Sequence, residues 1–288
     1  MVSAATTRAV ESPTAQPQQS ILVVDDVSKR FDTPEGQIVA IERMSFTVAP
    51  GEFLAVIGPS GCGKSTLFNI IGGLTDGYEG RITVAGETVS GPHAAIGMVF
   101  QEESTFPWRT VIENVAFPLE VAGQAAAPRH ERARHFIKLV GLDGFENRYP
   151  SELSGGMRQR VSMARTLASE PKIMLMDEPF AALDEQTRLL LGDKVLAIQQ
   201  QLRQTTLLIT HNITEAVQLA DRILVMTYRP GQLKRMVAIE LPRPRTSAIV
   251  SSEAFGRYVA QVWSDLREEA SRGMLDDETH LRGGAPPA

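Results

Sequence analysis

The sequence predicts an α/β fold: a mostly parallel sheet core, an antiparallel β subdomain ahead of it, and an α-helical subdomain inserted into it. Three observations predict this. Apolar runs of strand length (Phe53–Ile57, Ile173–Met176, Leu207–Thr210 and Ile223–Met226) alternate with helical stretches near Glu185–Arg203 and Ile213–Ala220. Unbroken apolar runs mark strands covered on both faces, as in parallel sheets. The β-rich segments Ile21–Val27 and Phe46–Val48 flank a loop, Phe31–Gln37, with Pro34 and Gly36, which is the pattern of antiparallel strands. From about Glu102 to Pro171 the texture turns helical, so this stretch reads as an insert and not as a separate fold.

In chain order, residues 1–20 are rich in Ser, Ala, Thr, Pro and Gln and lack an apolar centre. They predict a disordered tail and not a secretory signal. Phe53–Ile57 runs into the glycine-rich Gly58–Gly63, and a helix follows from Ser65 to about Ile71, stopped by Gly72-Gly73. Arg81–Ala85 and Ile96–Phe100 add two strands. Arg129–Val140 carries Ala133, Phe136, Ile137 and Val140 at helical spacing and closes on Gly141. A further helix is expected from near Ser154 to about Ala168, ahead of Pro171. Past Pro242-Arg243-Pro244, the last helix places Phe255, Val259, Val262, Trp263 and Leu266 on one face, and residues 273–288 are expected to fray. The organisation is thus a tail (1–20), one domain (21–245, helical part about 102–171) and a C-terminal helical extension (246–288).

Hydrophobic residues make up 43% and charged residues 22% of the chain, an ordinary globular balance, and the net charge of −5 offers nothing to attract nucleic acid. Cys62 is the single cysteine, so neither an intrachain disulfide nor a zinc cluster is available, which favours a reducing compartment. No stretch approaches the roughly 20 apolar residues a membrane span needs. The chain is therefore expected in the cytosol unless a partner holds it at a membrane.

Gly58-Pro59-Ser60-Gly61-Cys62-Gly63-Lys64-Ser65 fits the Walker A pattern, with a strand before it and a helix, continuing through Thr66, after it. A triphosphate needs several donors converging on its oxygens. Backbone amides supply them where no side chain intrudes, hence the glycines, and the helix start adds its positive end. Lys64 offers a cation for the β- and γ-phosphates and the Ser65 hydroxyl a ligand for Mg²⁺. Cys62 fills a permissive loop position with a structural role. Ile173-Met174-Leu175-Met176-Asp177-Glu178 is an apolar run ending in two acids, the Walker B pattern. Asp177 is placed to hold Mg²⁺, directly or through water, and Glu178 to polarise the attacking water.

Phosphate loops serve kinases, GTPases, helicases and recombinases alike, so the cradle alone leaves function open. Leu153-Ser154-Gly155-Gly156-Met157 narrows the choice. It stands at a helix start about 20 residues ahead of the acids, followed by Gln159-Arg160 and Ala164-Arg165. With Gln101 after a strand, Ala182-Leu183-Asp184 after the acids, and His211 closing a later strand, residues 21–245 resemble the ATP-binding cassette (ABC) superfamily. That resemblance implies a P-loop NTPase (RecA-like) core, ATP and Mg²⁺ as cofactors, and hydrolysis coupled to transport. It implies that Phe31 stacks on adenine, although relatives more often carry tyrosine there. Gln101 would contact Mg²⁺ or the water and sense a membrane subunit. Ser154, Gly155 and Gly156 would face ATP held by a second copy in a head-to-tail dimer, Asp184 would couple the two sites, and His211 would clamp the γ-phosphate. Asn212 departs from the pattern, since many relatives carry an acid after the histidine.

Phe106-Pro107-Trp108-Arg109-Thr110-Val111 with Glu113-Asn114-Val115, Asp76-Gly77-Tyr78-Glu79-Gly80, and the signature's Met157 look like the nitrate, sulfonate, taurine and bicarbonate importer ATPases. Integral membrane permease subunits and an extracytoplasmic solute-binding protein are the partners this implies, at the cytoplasmic face of the membrane. Trp108 is either an anchor within the helical subdomain or a contact for the permease. The C-terminal helix is expected to pack on its own domain, and Asp265, Glu268 and Glu269 argue against an anionic membrane surface. An exporter cassette, a soluble DNA-repair or translation ABC ATPase, and a small-molecule kinase are the rival readings. One cassette without a long coiled coil, together with the signature, weighs against them.

Overall fold

The computed structural model describes residues 20–283, apart from Glu35, Glu102, Glu103 and Ala182, and without the side chains of 274–283. The expected tail, save Ser20, the first residue of the helical part, Ala182 and residues 284–288 lie outside the described residues.

Two sheets organise the chain. β1 (Leu22–Thr33), β2 (Gly36–Val48), β4 (Glu79–Val84) and β5 (Glu87–Thr88) form an antiparallel sheet in the order β2-β1-β4-β5. The second sheet contains β3 (Phe53–Ile57), β6 (Ile96–Val99), β7 (Ile173–Asp177), β8 (Thr205–Ile209), β9 (Arg222–Met226) and β10 (Leu233–Ala238), in the order β10-β9-β3-β8-β7-β6. All its pairings are parallel except the β9–β10 edge. The expected loop Phe31–Gln37 is instead the tip of a hairpin, paired down to Thr33↔Gly36. Pro34 stands in the turn, Gly36 is the first paired residue of β2, and the strands on either side extend several residues beyond their apolar stretches.

Both faces of the parallel sheet are covered, which explains the unbroken apolar runs. Along β3, Phe53, Ala55 and Ile57 join the core under the helices, while Leu54 and Val56 join the core shared with the antiparallel sheet. Met174 and Met176 of β7 likewise face the helical side, and Ile173 and Leu175 face the other. Helix α1 (Lys64–Ile71) buries Leu67, Phe68, Ile70 and Ile71 between the two sheets.

The helical part comprises α2 (Val111–Val121), α3 (Ala126–Leu139) and α4 (Gly155–Ala168), all contributing to the core on the helical side of the parallel sheet. Helix α2 starts with a capping box in which Thr110 and Glu113 satisfy each other's backbone groups. Asn114, fully buried, ties the preceding loop down by accepting from Phe106 N–H and donating to the carbonyls of Phe106, Arg109 and Thr110. Trp108 is no anchor within this part: it is 72% exposed.

After β7 come α5 (Glu185–Leu202), α6 (Ile213–Leu219) and, past β10, α7 (Glu253–Gly283). Phe255 and Val262 of α7 are buried and Val259 and Leu266 pack against the core, but Trp263 points away, 57% exposed. The helix does not fray at residue 273. It continues to Gly283, and at Gly273 its backbone lies close to the Tyr228 ring, where a Cβ would come within 2.9 Å.

Candidate functional site

The phosphate loop follows β3, Gln101 lies two residues past β6, Asp177 ends β7 and His211 lies two residues past β8. These four points share one edge of the sheet, the carboxyl ends of its parallel strands, where open α/β sheets bind ligands. Their separation in sequence is therefore removed by topology alone.

Within the loop, Gly63 holds φ 98° directly before α1, and a Cβ there would meet the Ala40 carbonyl at 2.7 Å, so both conformation and space require glycine. Lys64 is 8% exposed, and its Nζ donates to the carbonyls of Gly58 and Pro59, each at 2.9 Å. A cavity of about 420 Å³ opens over it, lined by Phe31, Ser60, Gly61, Gly63, Lys64, Ser65, Thr66 and Glu178, with Ile38, Val39 and Ala40 of β2 and with Arg229. That volume suits a nucleotide-sized ligand. Gly58, Pro59 and Cys62 do not line it. Cys62 is wholly buried beneath the loop, and burial pushes its thiol pKa up, as expected of a structural cysteine.

Asp177 fits a cation. Burial pushes its carboxyl pKa up, Glu178 adds to this, and a hydrogen bond from Ser65 and the charge of Lys64 oppose it. Its Oδ1 is buried with no hydrogen-bond partner. A buried acceptor without a donor, beside the Ser65 hydroxyl, is a position that a divalent ion with oxygen ligands would satisfy.

Glu178 adopts a left-handed backbone, φ 44°, uncommon for a residue with a side chain and a form of strain found at functional sites. Its N–H still donates to Ile209 at 3.0 Å, so the chain turns only after the sheet pairing ends. The turn brings Glu178 Oε2 to 3.0 Å from Nδ1 of His211, whose side chain is 59% exposed. Asn212, the departure from the family pattern, caps α6 by accepting from Glu215 N–H at 3.0 Å.

Asp177 and His211 do not line the cavity themselves, although each is tied to a residue that does, Ser65 and Glu178, and two further groups of expected site residues stand apart from it. Gln101 is exposed and outside its lining. Ser154, Gly155, Gly156 and Asp184 line a different cavity of about 400 Å³ between the starts of α4 and α5. There Ser154 caps α4 by accepting from Met157 N–H, and Asp184 caps α5 by accepting from Thr187 N–H at 2.9 Å. The hydrogen bonds from Thr187 hold the Asp184 carboxyl pKa down.

Sequence reasoning missed two residues. Arg229 lines the cavity from the turn after β9, and the only local signal was its place ahead of Pro230-Gly231. Glu215, buried on α6 behind the His211 loop, carried no signal, since a glutamate at helical spacing reads as a solvated face.

The ABC transporter family profile matches residues 41–181. An ABC transporter ATP-binding protein of Methanocaldococcus jannaschii is 46% identical over 253 residues, 88% of this chain and 94% of that one. The aliphatic sulfonates import ATP-binding protein of Bacillus cereus is 42% identical, covering 83% of this chain and 94% of that one. The nitrate import ATP-binding protein of Synechocystis is 42% identical, covering 85% and 95%. A bacterial ABC transporter cassette solved as a dimer superposes with a TM-score of 0.68 at 31% identity, over 77% of this chain and all of that one. The same cassette in a post-hydrolysis state with ADP and phosphate gives 0.67 at 32%. Sequence, fold and the cradle agree: the chain belongs to the ABC transporter family, as an ATP-binding, ATP-hydrolysing subunit.

Proposed function

We propose that this chain drives import of a small solute, working as a head-to-tail pair of copies beneath permease subunits at the cytoplasmic face of the membrane. The observation that carries the pairing is the separation of Ser154–Gly156 from the phosphate cavity: within one chain the two open into different cavities. A signature loop that does not reach its own nucleotide needs a second copy to have a ligand. The dimeric cassette among the solved relatives supports the same arrangement.

In this reading the amides of residues 60–66 and the α1 start hold the phosphates, Lys64 offsets their charge, and Phe31, 39% exposed at the cavity edge, stacks on the base. Ser65 and Asp177, with Gln101 alongside, would hold Mg²⁺, which would neutralise phosphate charge. Glu178 orients and deprotonates the attacking water, and His211 positions Glu178 and the γ-phosphate. Hydrolysis removes the charge that both helix starts were holding, so the pair loosens.

Exposed Phe100, next to Gln101 in the chain, and exposed Trp108 are apolar surface that a cytoplasmic helix of the permease would cover. The relatives named for aliphatic sulfonates and nitrate point to a small oxyanion as solute, delivered by an extracytoplasmic binding protein. The test is co-purification with the permease from membranes, followed by ATPase assay in liposomes. Hydrolysis should rise when sulfonate or nitrate is supplied with the binding protein. A chain that does not associate with the permease would overturn the proposal.

A further inference from the structure

Between β9 and β10 the turn Tyr228–Gly231 lies against the phosphate loop on one side and α7 on the other. On the loop side, Arg229 Nε donates to the Gly61 carbonyl at 3.1 Å. A Cβ on Gly61 would come within 2.8 Å of Arg229 Nη2, and one on Gly231 within 2.2 Å of the Cys62 carbonyl. Glycine at 231 is thus required for the turn to approach the loop backbone, and glycine at 61 leaves the Arg229 guanidinium its place. The turn itself is braced: Thr227 Oγ1 donates to Pro230 at 2.7 Å and accepts from Gln232 N–H at 2.9 Å. It is also stitched to β2, through Gly231 N–H to Ala40 at 3.0 Å and Glu42 N–H to Gly231 at 3.1 Å.

On the α7 side, Glu269 is 1% exposed and accepts the Tyr228 N–H at 3.0 Å. Lys234 at 2.8 Å and Arg272 at 3.2 Å hold the same carboxylate. Glu268 and Glu269 thus clamp α7 to Lys234 of β10 and, through Glu269, to this turn. The chain of contacts runs from α7 through Glu269 to Tyr228, then Arg229, then Gly61.

We propose that Arg229 is a positioning residue for the nucleotide, holding the Gly61 peptide of the phosphate loop in its binding shape while adding positive charge at the cavity rim, and that α7 sets it there through Glu269. Gly61 and Gly63 both have positive φ and neither carries a side chain to restrain it, so a restraint from outside the loop adds to the order that the Lys64 hydrogen bonds supply within it. A hydrogen bond from a guanidinium to a main-chain carbonyl supplies it, and a pre-shaped loop binds its ligand with less ordering cost. Linkage makes the coupling reciprocal: ATP in the cavity tightens α7, and loosening α7 weakens ATP. The inference rests on reading this cavity as the nucleotide site.

The test compares Mg·ATP turnover by the full chain carrying Arg229→Ala, Arg229→Lys, Glu269→Ala, or Arg229→Ala with Glu269→Ala. Arg229 is exposed, so its removal leaves the core intact. Arg229→Ala should raise KM about 10-fold with kcat within about 2-fold, the effect of one charged hydrogen bond lost from binding. Arg229→Lys, which keeps a cationic donor, should recover most of this. Glu269→Ala should raise KM in the same sense, and the double variant should match Arg229→Ala alone, because one path is cut twice. An unchanged KM in Arg229→Ala, or full additivity in the double variant, overturns the inference. Should Glu269→Ala not fold, hydrogen exchange in the wild type replaces it: Mg·ATP should protect amides 265–273, and no change there overturns the coupling. Lys64→Ala in the same assay separates the failures, since wild-type affinity in that variant removes the nucleotide site itself. If instead Lys64→Ala loses affinity and Arg229→Ala keeps it, only this inference falls.

Discussion

Replacing Glu215 by glutamine isolates one buried charge whose cost follows from its surroundings. Glu215 is 6% exposed on α6. Thr210 Oγ1 donates to its Oε2 at 2.7 Å, and its Oε1 is buried without a partner. Burial pushes its pKa from 4.5 up to about 7; the Thr210 bond and the charge of Arg188 oppose the rise, while Glu178 and Glu185 add to it. Below pH 4.5 the group is protonated in both the folded and the unfolded chain and costs nothing. As pH climbs towards 7 the unfolded chain releases a proton that the folded chain keeps, so stability falls with rising pH, levelling off above the folded pKa. The full loss is about 3 kcal/mol, of which about 2.5 kcal/mol falls between pH 5 and pH 8. Urea unfolding of wild type and Glu215→Gln at those two pH values measures it. The variant's advantage should grow by that amount at the higher pH. A stability difference that stays constant across the range would refute the reasoning.

Three further outcomes follow from the same geometry. Glu178→Gln keeps the shape of the side chain but not its basicity, so it should bind ATP normally while kcat falls by about 10²–10³-fold; single-turnover assays with nucleotide-dependent gel filtration check this, and a tighter dimer is expected. Ser154→Arg should abolish turnover yet leave nucleotide binding by the monomer unchanged, as titration at low protein concentration would show. Phe255→Ala, removing a ring 2% exposed between α7 and the core, should destabilise the chain by about 3–5 kcal/mol, as urea unfolding would show.

The parts of the site legible in the sequence were those whose chemistry is local. The phosphate loop, the Asp177–Glu178 pair and the caps at Ser154 and Asp184 are set by residues within a few positions of one another, so motif and conformation coincide. The antiparallel pairing of β1 with β2 was legible but its length was not, because the polar tip pairs through backbone groups, which leave no apolar pattern. Trp263 was placed on the buried face of α7 by spacing alone, although what the helix buries is decided by its Glu269–Lys234 clamp and by Phe255 and Val262. Arg229 was illegible for a different reason: its contact with Gly61 spans 168 positions and depends on the β9–β3 pairing, which only topology supplies.

The central claim is that the main-chain amides and Lys64 at the carboxyl edge of β3 hold the phosphates of ATP together with magnesium. Isothermal titration of the pure, folded full chain with Mg·ATP tests it most directly. The account predicts a saturable heat at one nucleotide per chain, weakened on removing magnesium and lost in Lys64→Ala. Absence of any heat from the wild type at millimolar Mg·ATP, or an unchanged isotherm in Lys64→Ala, would contradict it.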